Sequence, residues 1–264
     1  MTSTETAEPV GVLLRRWREM RRLTQLGLSS KSGVSARHLS FVENGRSTPT
    51  RSMILRLSEC MEVPLRQQNT LLLAAGFAPA FSRHALSDTP MSAVSDAIDR
   101  ILSAHEPFPA VVVDRDWELV AGNDAIGVLI EGAAEHLLEP PVNVLRLSLH
   151  PEGMAPRIVN LGEWRAHLLE RLWREVEITG DVSLTDLHRE LSAYPGGGTG
   201  RIEHESSLVV PLTYRVDDTE ISMFSTTTVF GTPRDVTLSE IAIEAFYPAD
   251  EATAAFFRRR AGRR

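Results

Sequence analysis

Between Thr24 and Thr50 the chain reads TQLGLSSKSGVSARHLSFVENGRSTPT. Two short stretches of helical character flank one glycine, Gly33, and a turn-prone basic segment follows. This arrangement restricts the fold more than any other feature. Thr24 is placed to cap a helix over Gln25 to Lys31, and Ser35 to cap a second one that stops at Asn44-Gly45. The turn between them needs a residue that tolerates a left-handed backbone, and Gly33 is one. In a helix-turn-helix the first helix braces the second, which enters the major groove of DNA. The second helix must then bury one face and present the other. Leu39 and Val42, three apart, are expected inside. Ser35, Ala36, Arg37, His38 and Phe41 are expected outward or sideways. Arg37 has the chemistry to bond guanine edges, and Ala36 or Phe41 to meet a thymine methyl. In the tail ENGRSTPT, backbone N–H groups, Asn44 and Arg46 are expected to meet phosphates. The alternative is a plain helical bundle with a solvated basic face.

Charge supports the first reading. The chain of 264 residues has a net charge of −7. Residues 1–80 carry 11 Lys/Arg against 6 Asp/Glu, whereas the other 184 carry 17 against 29. A basic first part and an acidic remainder imply different partners, a polyanion for the first. No apolar run reaches the ~18 residues of a membrane span, and the polar start MTSTETAEPV does not read as a signal peptide. A cytoplasmic protein is expected. A single cysteine, Cys60, excludes an internal disulfide. The histidines show no metal-ligand spacing, so neither a metal nor another cofactor is expected.

Further helices are expected over residues 10–22 (Val12, Leu13, Trp17, Met20), after Pro49-Thr50 (Ile54, Leu57, Met61) and from Pro64 to Gly76 (Leu71–Leu73). Five short helices make an all-α domain over 1–78. GFAPAFSRHALSDTP reads as a linker, with 79–90 as its span. Thr89-Pro90 then predicts a helix start, with Met91, Val94, Ile98, Ile101 and Leu102 on one face, and this helix is a candidate connector between domains.

From there the pattern changes. Ala110–Val113 and Trp117–Ala121 read as a hairpin around Asp114-Arg115-Asp116. Two helices follow, lined by Trp164, Leu168, Leu172 and Val176, and by Leu184, Leu187, Leu191 and Tyr194. YPGGGTG reads as a loop. Leu208, Val210, Leu212, Tyr214 and Val216 alternate as a half-buried strand. After a turn at Asp217-Asp218, Ile221, Met223, Thr227 and Val229 share a face of its partner. Ile241, Ile243 and Ala245 suit a strand, although Thr237 and Glu240 form a capping-box pattern that favours a helix. Strand is the preferred reading. The second domain, 91–264, is therefore α+β with an antiparallel sheet.

The triplets Leu23-Thr24-Gln25 and Gly33-Val34-Ser35, with Glu43-Asn44-Gly45-Arg46 and Pro49-Thr50, resemble the Xre/Cro-type helix-turn-helix of repressors. The likeness runs without a gap over about residues 10–63, and Ser29 departs from the usual alanine. It implies that Gln25 meets a phosphate and that Arg18 and Glu43 form an internal ion pair. HEPFPAVVVDRDWELVAGN, NVLRLSLHP, FSTTTVFGTPRDVT and FYPADEAT together resemble the ligand-binding domain of MmyB-like transcription regulators, over about 91–255. Trp117, Asn123, His150-Pro151 and Pro248-Ala249-Asp250 carry that resemblance. It implies a PAS-like module that senses a small molecule, and a fatty acid or similar apolar metabolite suits it.

Such modules enclose an apolar pocket with few polar anchors. Phe108, Val112, Leu145, Trp164, Leu168, Tyr214, Met223 and Phe230 are the candidate lining, with solid core as the alternative for each. Gly196–Gly200 lacks the Lys-Ser/Thr ending of a phosphate loop. His150 reads as a turn histidine. The tail RRRAGRR either touches DNA phosphates or is disordered. The expected whole is a dimeric, operator-binding, non-enzymatic regulator, with a DNA-tethered enzyme and a purely dimerising second domain as rivals.

Overall fold

The computed structural model describes residues 8–196 and 209–262. Leu208, most of the Gly196–Gly200 loop and the last two residues of the basic tail lie outside these. The chain divides into two compact units: the described residues up to Arg83 with Pro233–Val236, and His84–Thr232 with the residues from Thr237 onward. Each is described by itself.

The first unit is built from five helices: α1 (Val10–Met20), α2 (Gln25–Ser32), α3 (Ala36–Glu43), α4 (Arg51–Cys60) and α5 (Leu65–Ala74). Three of their starts follow directly from hydroxyl residues. Thr24, Ser35 and Thr50 each accept the N–H of the residue three further on, Gly27, His38 and Met53, which satisfies one otherwise orphaned donor per helix. Gly33 ends α2 at φ 70°. The core joins Leu14, Trp17, Leu28, Leu39, Val42, Ile54, Leu57, Leu71 and Leu72. One contact had no sequence signal. A Cβ on Gly11 would stand 2.2 Å from the Val42 carbonyl oxygen, so only glycine lets α1 approach α3 this closely.

Residues 80 and 81 are fixed, although their composition suggests a linker: the Asn69 side chain accepts from the N–H of both and donates to the Phe81 carbonyl. Thr89 and Pro90 lie within a 3-10 turn, Thr89–Met91, and α6 (Ser92–His105) begins one residue later without a side-chain cap. Met91, Ile98 and Leu102 are buried, but Ile101 is 41% exposed.

The second unit holds β1 (Ala110–Val113), β2 (Leu119–Gly122), α7 (Gly127–Ile130), α8 (Val144–Leu149), α9 (Leu161–Thr179), α10 (Val182–Ala193), β3 (Leu212–Val216) and β4 (Thr219–Val229). A four-residue helix, α11 (Val236–Ser239), precedes β5 (Ala242–Pro248), and α12 (Glu251–Ala261) closes the described chain. Both readings of the 237–245 segment are thus partly realised, the capping-box residues falling on α11 and its end, and the apolar alternation on β5. The five strands form an antiparallel sheet in the order β2-β1-β5-β4-β3.

Strand alternation sorts side chains to two faces. Ala110 and Val112 of β1, with Ile243 and Ala245 of β5, pack with Ile98 and Leu102 of α6, so α6 is a layer of this unit rather than a free connector. Val113, Leu212, Tyr214, Ile221 and Met223 lie on the other face, in a larger core with Leu129, Leu145, Trp164, Leu168, Leu172, Leu184 and Leu191. Val229, expected to share the buried face of β4, is 63% exposed: β4 extends beyond the helices that cover its other end.

Candidate functional site

In the first unit the candidate reading surface is α3 and the loop after it. Leu39 and Val42 are each 2% exposed, and their burial turns Ser35 and Arg37 fully outward, with Ala36, His38 and Phe41 half-buried beside them. The Arg37 guanidinium lies over the Phe41 ring, 5.4 Å from its centroid. That contact holds the long side chain against α3 without occupying its N–H groups.

The loop differs from its expectation. The N–H groups of Asn44, Gly45, Arg46 and Ser47 are directed back to the carbonyls of Ser40, Val42, Phe41 and Phe41. They close the C-terminus of α3, so these four backbone donors are not free for phosphate. One Asn44 amide hydrogen also bonds the Ser40 carbonyl at 2.8 Å. The exposed Arg46 guanidinium is the strongest cation this loop presents.

Beneath the surface, Arg18 of α1 donates from Nε to Glu43 Oε1 at 2.7 Å and from Nη2 to Oε2 at 2.8 Å. Its Nη1 donates to the Leu23 carbonyl at 2.8 Å. Gln25 donates to Glu43 Oε2 at 2.8 Å. Burial alone would raise the Glu43 carboxyl, but the hydrogen bonds from Arg18 and Gln25 and the Arg18 charge together hold it below the usual carboxylate range. The network ties the start of α2 and the ends of α1 and α3 together. It therefore fixes the angle at which α3 is presented.

In the second unit a cavity of about 240 Å³ lies between the sheet and helices α7, α8 and α9. Its wall is mostly apolar: Val111, Leu119, Leu129, Ile130, Leu145, Leu147, Met154, Trp164, Leu168, Leu212 and Phe246 among others. Of the sequence candidates, Leu145, Trp164 and Leu168 line it. The other five do not. Val112 belongs to the opposite sheet face, and Phe230 packs with that cluster too. Tyr214 and Met223 are fully buried core, the Tyr214 hydroxyl donating to the Leu129 carbonyl at 2.8 Å. Phe108 meets Phe257 of α12 edge to face.

Sequence reasoning missed the polar end of this cavity. Arg171 of α9 pairs with Glu244 of β5 through both carboxylate oxygens, the Nη1–Oε2 bond being 2.9 Å. Thr227, the cross-strand neighbour of Glu244, donates to Oε1 at 2.9 Å. The guanidinium lies over the Trp117 ring, 4.6 Å from its centroid. The Trp117 indole N–H donates to Glu175 at 2.9 Å, and Glu175 stands 4.0 Å from the Arg171 Nε. Burial would lower the Arg171 pKa, but Glu244 outweighs it and the guanidinium stays charged. Burial raises the Glu175 carboxyl, against the Trp117 hydrogen bond and the Arg171 charge. A signal for this end existed. Arg171 follows Trp164 by seven residues and so shares its helix face, and Glu244 is a lone acid inside an apolar strand, where an unpaired charge is not tolerated.

His136, His150 and Glu152 bring possible ligand atoms within 4.8 Å of one another. The His150 Nδ1 accepts from the Glu152 N–H at 3.1 Å, as suits the turn it occupies. The tail arginines of α12 are partly paired, Arg258 with Glu251 and Arg260 with Glu131.

Two regions therefore have separate roles, a basic helix-turn-helix and an α+β module around an apolar cavity, as in a one-chain transcription regulator with a ligand-binding domain. Residues 14–68 match the family described as Helix-turn-helix, and residues 94–259 match the MmyB-like transcription regulator ligand binding domain. The second match spans more than half of the chain, which belongs to that family. Among curated proteins no match is found. A solved structure titled "Structure of an RNA-binding Light-Oxygen-Voltage Receptor" is 14% identical, with a TM-score of 0.27. The match covers 97% of this chain and 61% of that one, and likeness at this level carries no argument. Among the described residues no helix is long and apolar enough to cross a membrane.

Proposed function

We propose that the chain binds an operator as a homodimer through α3 and that its cavity takes up a small apolar ligand, with a chain like that of a fatty acid, which alters DNA binding. The cavity carries this reading. At about 240 Å³ it exceeds the ~150 Å³ apolar cavity that takes up benzene, and wall side chains from all five strands and from α7, α8 and α9 leave it unfilled where close packing is the rule. A solid core would have favoured a domain that only dimerises. An enzyme would need a reactive group facing bound substrate, and both charged side chains of the wall, Arg171 and Glu244, are engaged with each other.

In this reading Arg37, Ala36, His38 and Phe41 face base edges, Ser35 and Gln25 approach the backbone, and Arg46 with Asn44 contacts phosphate. One helix of eight residues reads few base pairs, so a dimer on an inverted repeat supplies the specificity, with half-sites about one helical turn, ~34 Å, apart. Residues 91–264 are the proposed pairing region. The test is native mass spectrometry of the full chain purified from its own host. An apolar adduct whose removal changes the affinity for a selected duplex supports the proposal. A protein that is ligand-free, and whose DNA binding no apolar compound changes, refutes it.

A further inference from the structure

We infer that the cavity is built for an uncharged ligand, an apolar chain ending in a hydroxyl, carbonyl or amide, and not for an ionised carboxylate. This rests on the reading above that the cavity is a ligand site, and it specifies the chemistry of the ligand's polar end.

The charged residues in the wall are Arg171 and Glu244. They already neutralise each other in a two-oxygen pairing, and Thr227 donates to the same carboxylate. Glu244 is 5% exposed. A ligand carboxylate could approach the guanidinium only as a third acid, after Glu244 and Glu175. To displace Glu244 it would leave a buried carboxylate held by Thr227 alone, and an orphaned buried charge is strongly unfavourable. The guanidinium cannot swing to meet it without leaving the Trp117 face. Among the described residues no other cation lines the wall. His167, whose titration responds to both Arg171 and Glu244, is lowered by burial first and by the Arg171 charge second, so it is neutral at pH 7. Arg157 has a buried Nη2 without a partner, but it lies against Tyr214 and does not line the cavity.

An uncharged polar end meets no such obstacle. Arg171 has five N–H donors, of which two are directed to Glu244. Ser225 lines the wall two residues along the same face of β4 from Thr227. Both suit a hydroxyl or carbonyl oxygen, and neither bond requires separating the ion pair.

The test uses the full chain, stripped of bound lipid, titrated at neutral pH with 1-decanol and with decanoate by displacement of an apolar fluorescent dye. Decanol should bind at least about tenfold more tightly, equivalent to about 1.4 kcal/mol. In Glu244→Gln the guanidinium loses its counter-charge, and the preference should move toward decanoate by a similar factor. Decanoate binding as tightly as decanol to the unaltered protein overturns the inference, whatever the variant does. If neither probe displaces the dye, nor 1-decylamine in a third arm, the cavity is not a ligand site and the reading on which the inference rests fails with it. Decylamine binding alone would leave the ligand site standing and overturn the uncharged class.

Discussion

Glu43→Ala should destabilise the first unit far beyond the loss of one surface charge. Glu43 and Arg18 are each 8% exposed, and the Arg18 Nε, its Nη2 and the Gln25 amide all converge on the Glu43 carboxylate. Truncation leaves a buried guanidinium with the Leu23 carbonyl as its hydrogen-bond acceptor and only the exposed Glu19 carboxylate, 3.7 Å away, as counter-charge. Breaking one side of such a pair costs roughly 3–5 kcal/mol, against a total stability of about 5–15 kcal/mol for a whole domain. Hydrogen–deuterium exchange on the full chain reads this locally. Amides of α1 and α3 should exchange faster by roughly two to four decades, at 1.36 kcal/mol per decade, while those of β1 and β5 stay unchanged. Arg18→Met should cost a comparable amount, and Arg18→Met with Glu43→Leu should recover much of it, because an apolar pair leaves no orphaned charge. Losses that simply add in the double variant would show that the two side chains are not energetically coupled, and the reasoning would fail.

Gly11→Ala should weaken the same unit, because its new Cβ would stand 2.2 Å from the Val42 carbonyl oxygen; a melting temperature of the first transition equal to the parent's would contradict that close approach. Acid should act through Glu43. Its folded-state carboxyl lies below the ordinary value of 4.5, so the pair's contribution is present above that pH and is lost as pH falls through the lower folded value; protection of α3 amides should decline as pH falls below 4.5, and Glu43→Gln should lack that decline. Arg37→Ala should cost on the order of 1–3 kcal/mol on the operator and relax the preference at one base pair, with anisotropy on single-base operator variants as the check. Arg46→Ala should instead flatten the salt dependence of binding and keep the base preference.

The first unit was the more legible because its instructions are local. Thr24, Ser35 and Thr50 fix helix starts through their own hydroxyls, and Gly33 fixes a turn through its own backbone freedom. What a helix-turn-helix does not write locally stayed hidden. Gly11 looks like any glycine near a helix start, and its role depends on the carbonyl of a residue 31 positions away. The loop Asn44–Ser47 reads as a set of free donors until the fold turns those N–H groups back onto α3. In the second unit, alternation identified the strands but not which face meets which layer. Val112 and Tyr214 are both inward-facing strand residues, and one lies under α6 while the other belongs to the opposite core. The short helices α7 and α8 were not anticipated, because four to six residues give too little period to read. Of the cavity wall, long α9 makes Trp164 and Leu168 legible, whereas on the short helices Leu145 of α8 is the one candidate the sequence offers.

The central claim is that α3 reads DNA sequence. Its most direct measurement is the affinity of the full chain for a duplex selected from a random pool, set against a scrambled duplex of equal length at physiological salt. The account predicts that selection recovers an inverted repeat, and that this duplex binds at least about 10³-fold more tightly than the scrambled one. A ratio near one, or binding that is entirely absent, would contradict it.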